Sequence, residues 1–130
     1  MRVVFDANVL VAALVFPGGK ADQAMARVIA GANRLLISVP IIHEVLGVLS
    51  RKFGRDREEL ARVAVFLADV ADEITVTHHA TVLADEPDNR ILECAVSGDA
   101  DVIVTGDKAM LRLARYEDVP IITLREFLTP

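Results

Sequence analysis

The sequence has almost none of the residues that stabilise small scaffolds without a large core. It contains a single cysteine, Cys94, which excludes an internal disulfide and a zinc site built on several cysteines. Its three histidines include no pair at the helical spacing typical of zinc ligands. It has no internal repeat or low-complexity segment, and 53% of its residues are hydrophobic, so it is not expected to be disordered. We therefore expect a single domain over residues 1–130 that is stabilised by its own core.

Long apolar segments are also missing. The longest uninterrupted apolar run, residues 9–16, is far shorter than the ~20 residues that span a membrane. Asp6 directly follows the first apolar residues and no small-residue cleavage site comes after it, which argues against a signal peptide. We expect a cytoplasmic protein with no membrane association. The mean hydropathy of +0.41 indicates either apolar surface covered by a partner or second copy, or a core on both faces of a parallel sheet.

Basic residues are outnumbered by acidic ones, 14 to 19, which gives a net charge of −5. This balance argues against a nucleic-acid partner, unless several of the acids hold metal ions. The densest positive stretch, residues 51–57, indicates either a solvated turn between helices or a surface that binds phosphates. The basic residues that we consider for nucleic-acid binding are Lys20, Arg51, Lys52, Arg55 and Lys108.

Short apolar runs alternate with longer amphipathic segments along the chain. The runs at 2–5, 35–38, 73–76, 102–104 and 120–123 predict strands. The segments at 21–32, 41–51, 56–70 and 89–97 predict helices, with shorter helices after residue 107 and over 124–128. This alternation predicts an α/β domain with a mostly parallel central sheet of about five strands and helices on both faces.

Acidic side chains follow these strands. Asp6 comes directly after the first strand, Glu44 lies in the helix after the second, and Asp88 follows the loop after the third. Asp107 comes shortly after the fourth strand. Because ligands of open α/β sheets bind beyond the carboxyl ends of the strands, we expect these carboxylates at one edge. Oxygen-only ligands suit one or two Mg²⁺ or Mn²⁺ ions, which relieve the repulsion among the acids and assist phosphodiester displacement by water.

Two polar residues, Asn8 and Thr105, are expected to orient these acids. Asp85 is either a further supporting residue of the site or a surface acid of its loop. Taken singly, Asp88 and Asp107 also fit as helix N-caps. The joint pattern of the acids favours a chemical role.

The order of these residues resembles that of the PIN domain family, which includes the VapC-type toxins of toxin–antitoxin pairs. The similarity covers residues 2–128, and its most specific segment is 98–107, Gly-Asp-Ala-Asp-Val-Ile-Val-Thr-Gly-Asp. The resemblance implies a PIN-like three-layer α/β/α sandwich. It also implies that the catalytic and metal-binding residues are Asp6, Glu44, Asp88 and Asp107.

The resemblance further implies a Mg²⁺- or Mn²⁺-dependent endoribonuclease, the toxin component of a type II toxin–antitoxin pair. RNA is then the substrate, the chain forms a homodimer, and an antitoxin protein is a partner. The chain has Ala7 where many relatives have Thr and Ala12 where similar chains often have Ser, but neither change removes an acid. An apolar stripe over 61–68 fits either the core or a groove for an antitoxin segment.

Other function classes fit less well. A non-catalytic PIN-like module that binds RNA or protein would be favoured by loss of site acids, yet all four are present. A phospho-acceptor signalling domain would need an acceptor Asp after the middle strand, where the chain has Thr77, His78 and His79. A phosphatase of the haloacid dehalogenase type would need Asp-x-Asp after the first strand, where the chain has Asp6 and then Asn8.

Overall fold

The fold is built on one sheet of six strands, described by a computed structural model of residues Met1–Pro130. The strands are β1 (Arg2–Phe5), β2 (Arg34–Ile37), β3 (Ala71–Glu73), β4 (Val102–Val104), β5 (Arg115–Tyr116) and β6 (Val119–Ile122). Their order across the sheet is β3-β2-β1-β4-β6-β5. All neighbours are parallel except β5 and β6, which pair antiparallel at one edge.

Helices flank this sheet. They are α1 (Ala7–Val15), α2 (Lys20–Ile29), α3 (Val39–Phe53), α4 (Arg57–Val70), α5 (Glu86–Ser97), α6 (Lys108–Leu113) and α7 (Leu124–Leu128). Helix α5 packs on β1, β2 and β4, while α1 packs against α2 and α3. None of the helices is long and apolar enough to cross a membrane.

The central strands carry the core. In β1, β2 and β4, three consecutive residues of each strand are buried, so side chains on both faces of the sheet are covered. This arrangement is typical of parallel sheets with helices on either side. These buried side chains on both faces of the sheet account for the high mean hydropathy, which is the second of the two explanations given by the sequence.

The predicted α/β class and mostly parallel sheet are confirmed, with one strand more than expected. The additional strand, β5, has only two residues and follows α6 directly, so no apolar run marks it. The third strand lies at Ala71–Glu73, earlier than the predicted 73–76, because it begins where α4 ends. The apolar run at 9–16, for which no helix was predicted, lies mostly within α1.

Aspartates set the start of several helices. Asp6 caps α1 and Asp107 caps α6, each by accepting a backbone N–H three residues ahead. Helix α5 begins at Glu86 with Asp85 at its N-cap, earlier than predicted. Asp88 is therefore in the first turn of α5 rather than at its cap.

Candidate active site

Asp6 lies at the carboxyl end of the central strand β1 and is 3% exposed. Its Oδ1 accepts the Val9 N–H at 2.8 Å, and its Oδ2 accepts the Thr105 hydroxyl. Both oxygens are therefore held by the protein, yet each keeps lone-pair capacity for a further ligand. The side chain is fixed in place at the point where β1 becomes α1.

Thr105 joins Asp6 to Asp107. It is fully buried after β4, and while its hydroxyl donates to Asp6, its oxygen accepts the Asp107 N–H at 3.0 Å. Asp107 Oδ2 accepts the Met110 N–H at 2.9 Å, which leaves Oδ1 without a hydrogen bond. The structure thus places Thr105 in contact with two of the predicted site acids, Asp6 and Asp107.

The remaining acids meet at a small pocket beside Asp6. This pocket of about 70 Å³ is open to solvent and has mostly polar walls. Glu44 from α3 and Asp88 from α5 enter it from neighbouring helices, and Asn8 lines it from α1. The lining residues are Asp6, Ala7, Asn8, Glu44, Asp85, Pro87, Asp88 and Ile91.

The electrostatics of Asp88 show how close these carboxylates are. Burial, as the largest cause, and the charges of Asp85, then Asp107, Asp6 and Glu44 together raise the pKa of Asp88 to about 7. Burial is also the main cause that raises the pKa of Asp6, against the hydrogen bond from Thr105 that lowers it. Asp85, whose role the sequence left open, thus has the largest charge effect on the pKa of Asp88.

The chain can be compared with known proteins at this point. The model of the PIN domain family matches residues 2–109, most of the chain. The chain belongs to the PIN domain family. The resemblance seen in the sequence is therefore confirmed.

Two similar proteins extend this comparison. A chain in the crystal structure of VapBC2 from Rickettsia felis bound to a DNA fragment from their promoter is 14% identical and superposes with a TM-score of 0.68. The match covers 93% of this PIN domain chain and 98% of that chain, and supports the same three-layer fold. The uncharacterized protein MJ1680 of Methanocaldococcus jannaschii is 26% identical over 117 residues, 87% of this chain and 75% of its own length.

The donor set of this PIN domain site fits a hard divalent cation in its chemistry. All of its candidate ligands are oxygens, and a cation would offset the repulsion that raises the pKa of Asp88. No group of three or more acidic, histidine or cysteine side chains is arranged to hold an ion unaided. Mg²⁺ commonly binds through one or two carboxylates plus waters and substrate phosphate, so such an arrangement is compatible with it.

A segment that the sequence did not single out positions the acids of α5. Residues 74–85 have no regular structure and run along α5. Asn89, which is fully buried, accepts the Leu83 N–H at 2.9 Å and donates to the Leu83 carbonyl at 2.9 Å. These bonds fix the end of the segment, and therefore Asp85 and the first turn of α5.

Two more polar side chains of α5 hold the same segment. Glu93, which is 5% exposed, accepts the Ala80 N–H at 2.9 Å. The Ser97 hydroxyl accepts the Thr77 N–H at 2.9 Å. Together with Asn89 these residues form a stripe at every fourth position of α5, a signal that was available in the sequence.

The predicted basic residues lie in different settings. Lys20, Lys52 and Lys108 are exposed and form no ion pair. Arg55 instead pairs with Glu59 at 3.0 Å, so its charge is partly compensated.

The predicted stripe on α4 divides between core and surface. Leu67 is fully buried, whereas Val65 is 61% exposed. Val65 lines an open, largely apolar depression on α4 together with Ala61 and Phe66. The interpretation as core therefore holds for Leu67 and fails for Val65.

Proposed function

We propose that residues 1–130 form one nuclease domain, a metal-dependent endoribonuclease that hydrolyses RNA phosphodiester bonds. The observation that carries this proposal is the convergence of carboxylates around Asp88, whose pKa burial first, and then their charges, raise to about 7. A protein gains nothing in stability from such repulsion, and perturbed groups of this kind cluster at functional sites. Membership of the PIN domain family supports the reaction class.

In this proposal Asp6, Glu44, Asp88 and Asp107 hold one or two Mg²⁺ or Mn²⁺ ions. The chemistry that such a cation supplies when bound is a lower pKa for water and compensation of charge on the phosphate. The pocket is lined by no serine, cysteine or histidine, so water is the nucleophile that the site can offer.

The other residues of the site act by position. Thr105 holds the Asp6 side chain and the backbone of Asp107 in one orientation. Neither carboxylate then has to reorient when the proposed reaction takes place. Asn8 is exposed at the pocket, where its amide is placed to contact the substrate or a ligated water. Lys108 follows Asp107 and offers a cation for a neighbouring phosphate.

We further propose a cytoplasmic toxin of a type II pair, which acts as a homodimer and is held by an antitoxin protein. The structural similarity to a chain of a VapBC2 crystal structure supports this assignment. The exposed apolar depression at Val65 offers a surface for such a protein partner. Light scattering of the purified chain measures its mass, and a monomer at all concentrations would contradict the dimer.

The test of the nuclease is cleavage of a total-RNA pool by purified protein with Mn²⁺, Mg²⁺ or EDTA. We expect metal-dependent fragments from the wild type and none from Asp107→Asn. Asp118→Asn is the matched control, because Asp118 is an exposed acid outside the pocket. Binding of RNA without cleavage under every condition would contradict the enzyme and favour a non-catalytic PIN-like module.

A further inference from the structure

A second cavity adjoins the acidic pocket. It has a volume of about 210 Å³ and shares with the acidic pocket a wall made of Ala7, Glu44, Pro87 and Ile91. It lies between the N-terminal halves of α3 and α5, two helices that pack against each other. Because four residues line both cavities, a group bound in the second lies directly beside whatever the acids hold.

The walls of this cavity suit a flat, uncharged group. Most of the wall that solvent reaches is apolar, and Pro40 from α3 and Pro87 from α5 both line it and are exposed. Its volume is below the roughly 300 Å³ at which sites for drug-sized ligands begin, so it has room for about one ring system. Its charged residues are Glu44, Glu86 and Arg90, an excess of negative charge that disfavours a phosphate. Of the parts of an RNA chain, a base meets these conditions.

Glu86 offers both of its carboxylate oxygens to a ligand. Its side chain is 67% exposed. Oε1 accepts one long hydrogen bond of 3.4 Å from the Asn89 amide, and Oε2 lies 3.3 Å from Nη2 of Arg90. Each carboxylate oxygen has two lone-pair sites, so both can accept a further hydrogen bond.

Arg90 is held beside this carboxylate. Its Nη2 also donates to the Ala80 carbonyl at 3.3 Å, and its Nε lies 2.9 Å from Oε1 of Glu93. Its Nη1 forms no hydrogen bond or ion pair. The cavity therefore presents a pair of acceptor oxygens with a restrained donor group next to them.

We infer that this cavity, which we call the Glu86 cavity, binds the base of a guanosine next to the RNA bond that is cleaved. This inference rests on the proposed function and names the base preference of that same site. Guanine alone among the four RNA bases has two adjacent N–H donors on its Watson–Crick edge, N1–H and the N2 amino group, with the acceptor O6 beside them. A carboxylate accepts from both donors at once, and a guanidinium next to it donates to O6. Single-stranded RNA is read on these edges by hydrogen bonds of this kind.

The first test compares the cleavage of RNAs that differ in one base. Each is a 12-nucleotide chain of uridines with a single guanosine, adenosine or inosine at the centre, and kcat/KM is measured with Mn²⁺. We expect cleavage next to guanosine to be about tenfold or more faster than next to adenosine, within the range that one bidentate base contact provides. Inosine lacks the N2 amino group and is expected to lose most of this advantage, whereas 7-deazaguanosine keeps the whole Watson–Crick edge and retains it. Equal rates next to guanosine, adenosine and inosine would overturn the inference.

The second test changes the acceptor pair. Glu86→Gln replaces one acceptor oxygen by an amide donor, a pattern that complements adenine instead. We expect the ratio of the guanosine rate to the adenosine rate to fall to about one or below. This ratio is measured on one preparation and does not depend on the folded fraction. Glu58→Gln is the matched control, because Glu58 is also an exposed glutamate in the first turn of a helix, α4, but lies outside both cavities.

Arg90 is a positioning residue in this account. Arg90→Ala loses the contacts with Ala80 and Glu93, so its melting temperature is expected to fall whatever its role in recognition. The inference further predicts a lower ratio of guanosine to adenosine cleavage in Arg90→Ala and partial recovery of that ratio in Arg90→Lys, which keeps a charged donor. A lower melting temperature with an unchanged ratio would overturn the role of Arg90 in recognition.

The Glu86 cavity and the nuclease can fail separately. Fluorescence anisotropy with Ca²⁺ in place of Mn²⁺ measures the affinity for the guanosine and adenosine RNAs apart from cleavage. A binding preference for guanosine that is lost in Glu86→Gln, without cleavage under any metal condition, overturns the nuclease and leaves the guanine site in place. Cleavage with the same ratio in the wild type and Glu86→Gln overturns the guanine site, leaves the nuclease, and makes the cavity available to a protein partner. Neither binding nor cleavage of any of these RNAs overturns both.

Discussion

At the scale of single residues, the same side chains serve folding and the proposed chemistry. Asp6 caps α1 and bonds to Thr105, while Asp107 caps α6. A cap uses one oxygen of a carboxylate and leaves capacity for another ligand. The sequence could predict that Asp6, Glu44 and Asp88 come together, because each follows a strand of a parallel sheet, whereas Asp107 is not among the residues that line their pocket. It could not predict how strongly Asp85 raises the pKa of Asp88, because that effect depends on where α5 begins.

Replacing Asp6 is expected to separate activity from stability. Asp6→Asn removes a buried charge whose pKa burial raises, while the amide oxygen still accepts from Val9. We predict loss of RNA cleavage and, in EDTA at neutral pH, a melting temperature equal to or above that of the wild type. Scanning calorimetry and a cleavage assay measure the two effects. Cleavage at the wild-type rate would contradict the assignment of Asp6.

The raised pKa of Asp88 predicts that the stability of the fold depends on pH. Its pKa is about 7 when folded, against 3.8 as the ordinary value, so the folded state holds this proton more tightly. Its contribution to stability is fully present below pH 3.8 and is lost as the pH rises through about 7. In EDTA, the melting temperature of Asp88→Asn minus that of the wild type is therefore expected to grow between these values and then level off. Asp118→Asn is the control, and a pH-independent difference for Asp88→Asn would contradict the electrostatic account.

At the scale of elements, helix α5 organises much of the site. It contributes Asp88 and holds the segment at 74–85 through Asn89 and Glu93. The sequence predicted this helix, but the segment beside it has no periodic pattern and is fixed by bonds from side chains to backbone. Helix α1 was missed for a related reason, since residues 9–16 are apolar throughout and show no helical periodicity.

Removing one of these bonds is expected to cost stability. Asn89→Ala leaves the N–H and the carbonyl of Leu83 without their partner, which lowers the free energy of unfolding by about 1–3 kcal/mol. Denaturant titration measures the loss, and hydrogen exchange at the Leu83 amide is expected to accelerate. Thr81→Ala serves as the control, because Thr81 is exposed in the same segment. Equal stability of the two variants would show that Asn89 does not hold the segment.

At the scale of the whole molecule, the charge distribution explains an apparent conflict. A net charge of −5 argues against RNA, but several acids lie together in one pocket, while Lys20, Lys52 and Lys108 are exposed and form no ion pair. The α/β class and the family followed from the order of apolar runs and acids. The contact between Phe16 and Phe53 did not, because it forms only where the ends of α1 and α3 meet.

Cation binding is expected to stabilise the whole fold. An ion that binds only the folded pocket raises the free energy of unfolding, by about 2.7 kcal/mol at a concentration 100 times its Kd. We predict that Mn²⁺ raises the melting temperature of the wild type at neutral pH and has little effect on Asp107→Asn. An equal rise in both proteins would place the binding site elsewhere.

The most direct test of the central claim follows the oxygen that attacks RNA. A defined single-stranded RNA is cleaved in a single turnover with Mn²⁺ in ¹⁸O-labelled water, and the product ends are analysed by mass spectrometry. Because water is the nucleophile in the proposed reaction, we predict one ¹⁸O atom in the product phosphate with the wild type and no product with Asp6→Asn. A product that ends in a 2′,3′-cyclic phosphate, or equal cleavage by Asp6→Asn, would contradict hydrolysis at this site.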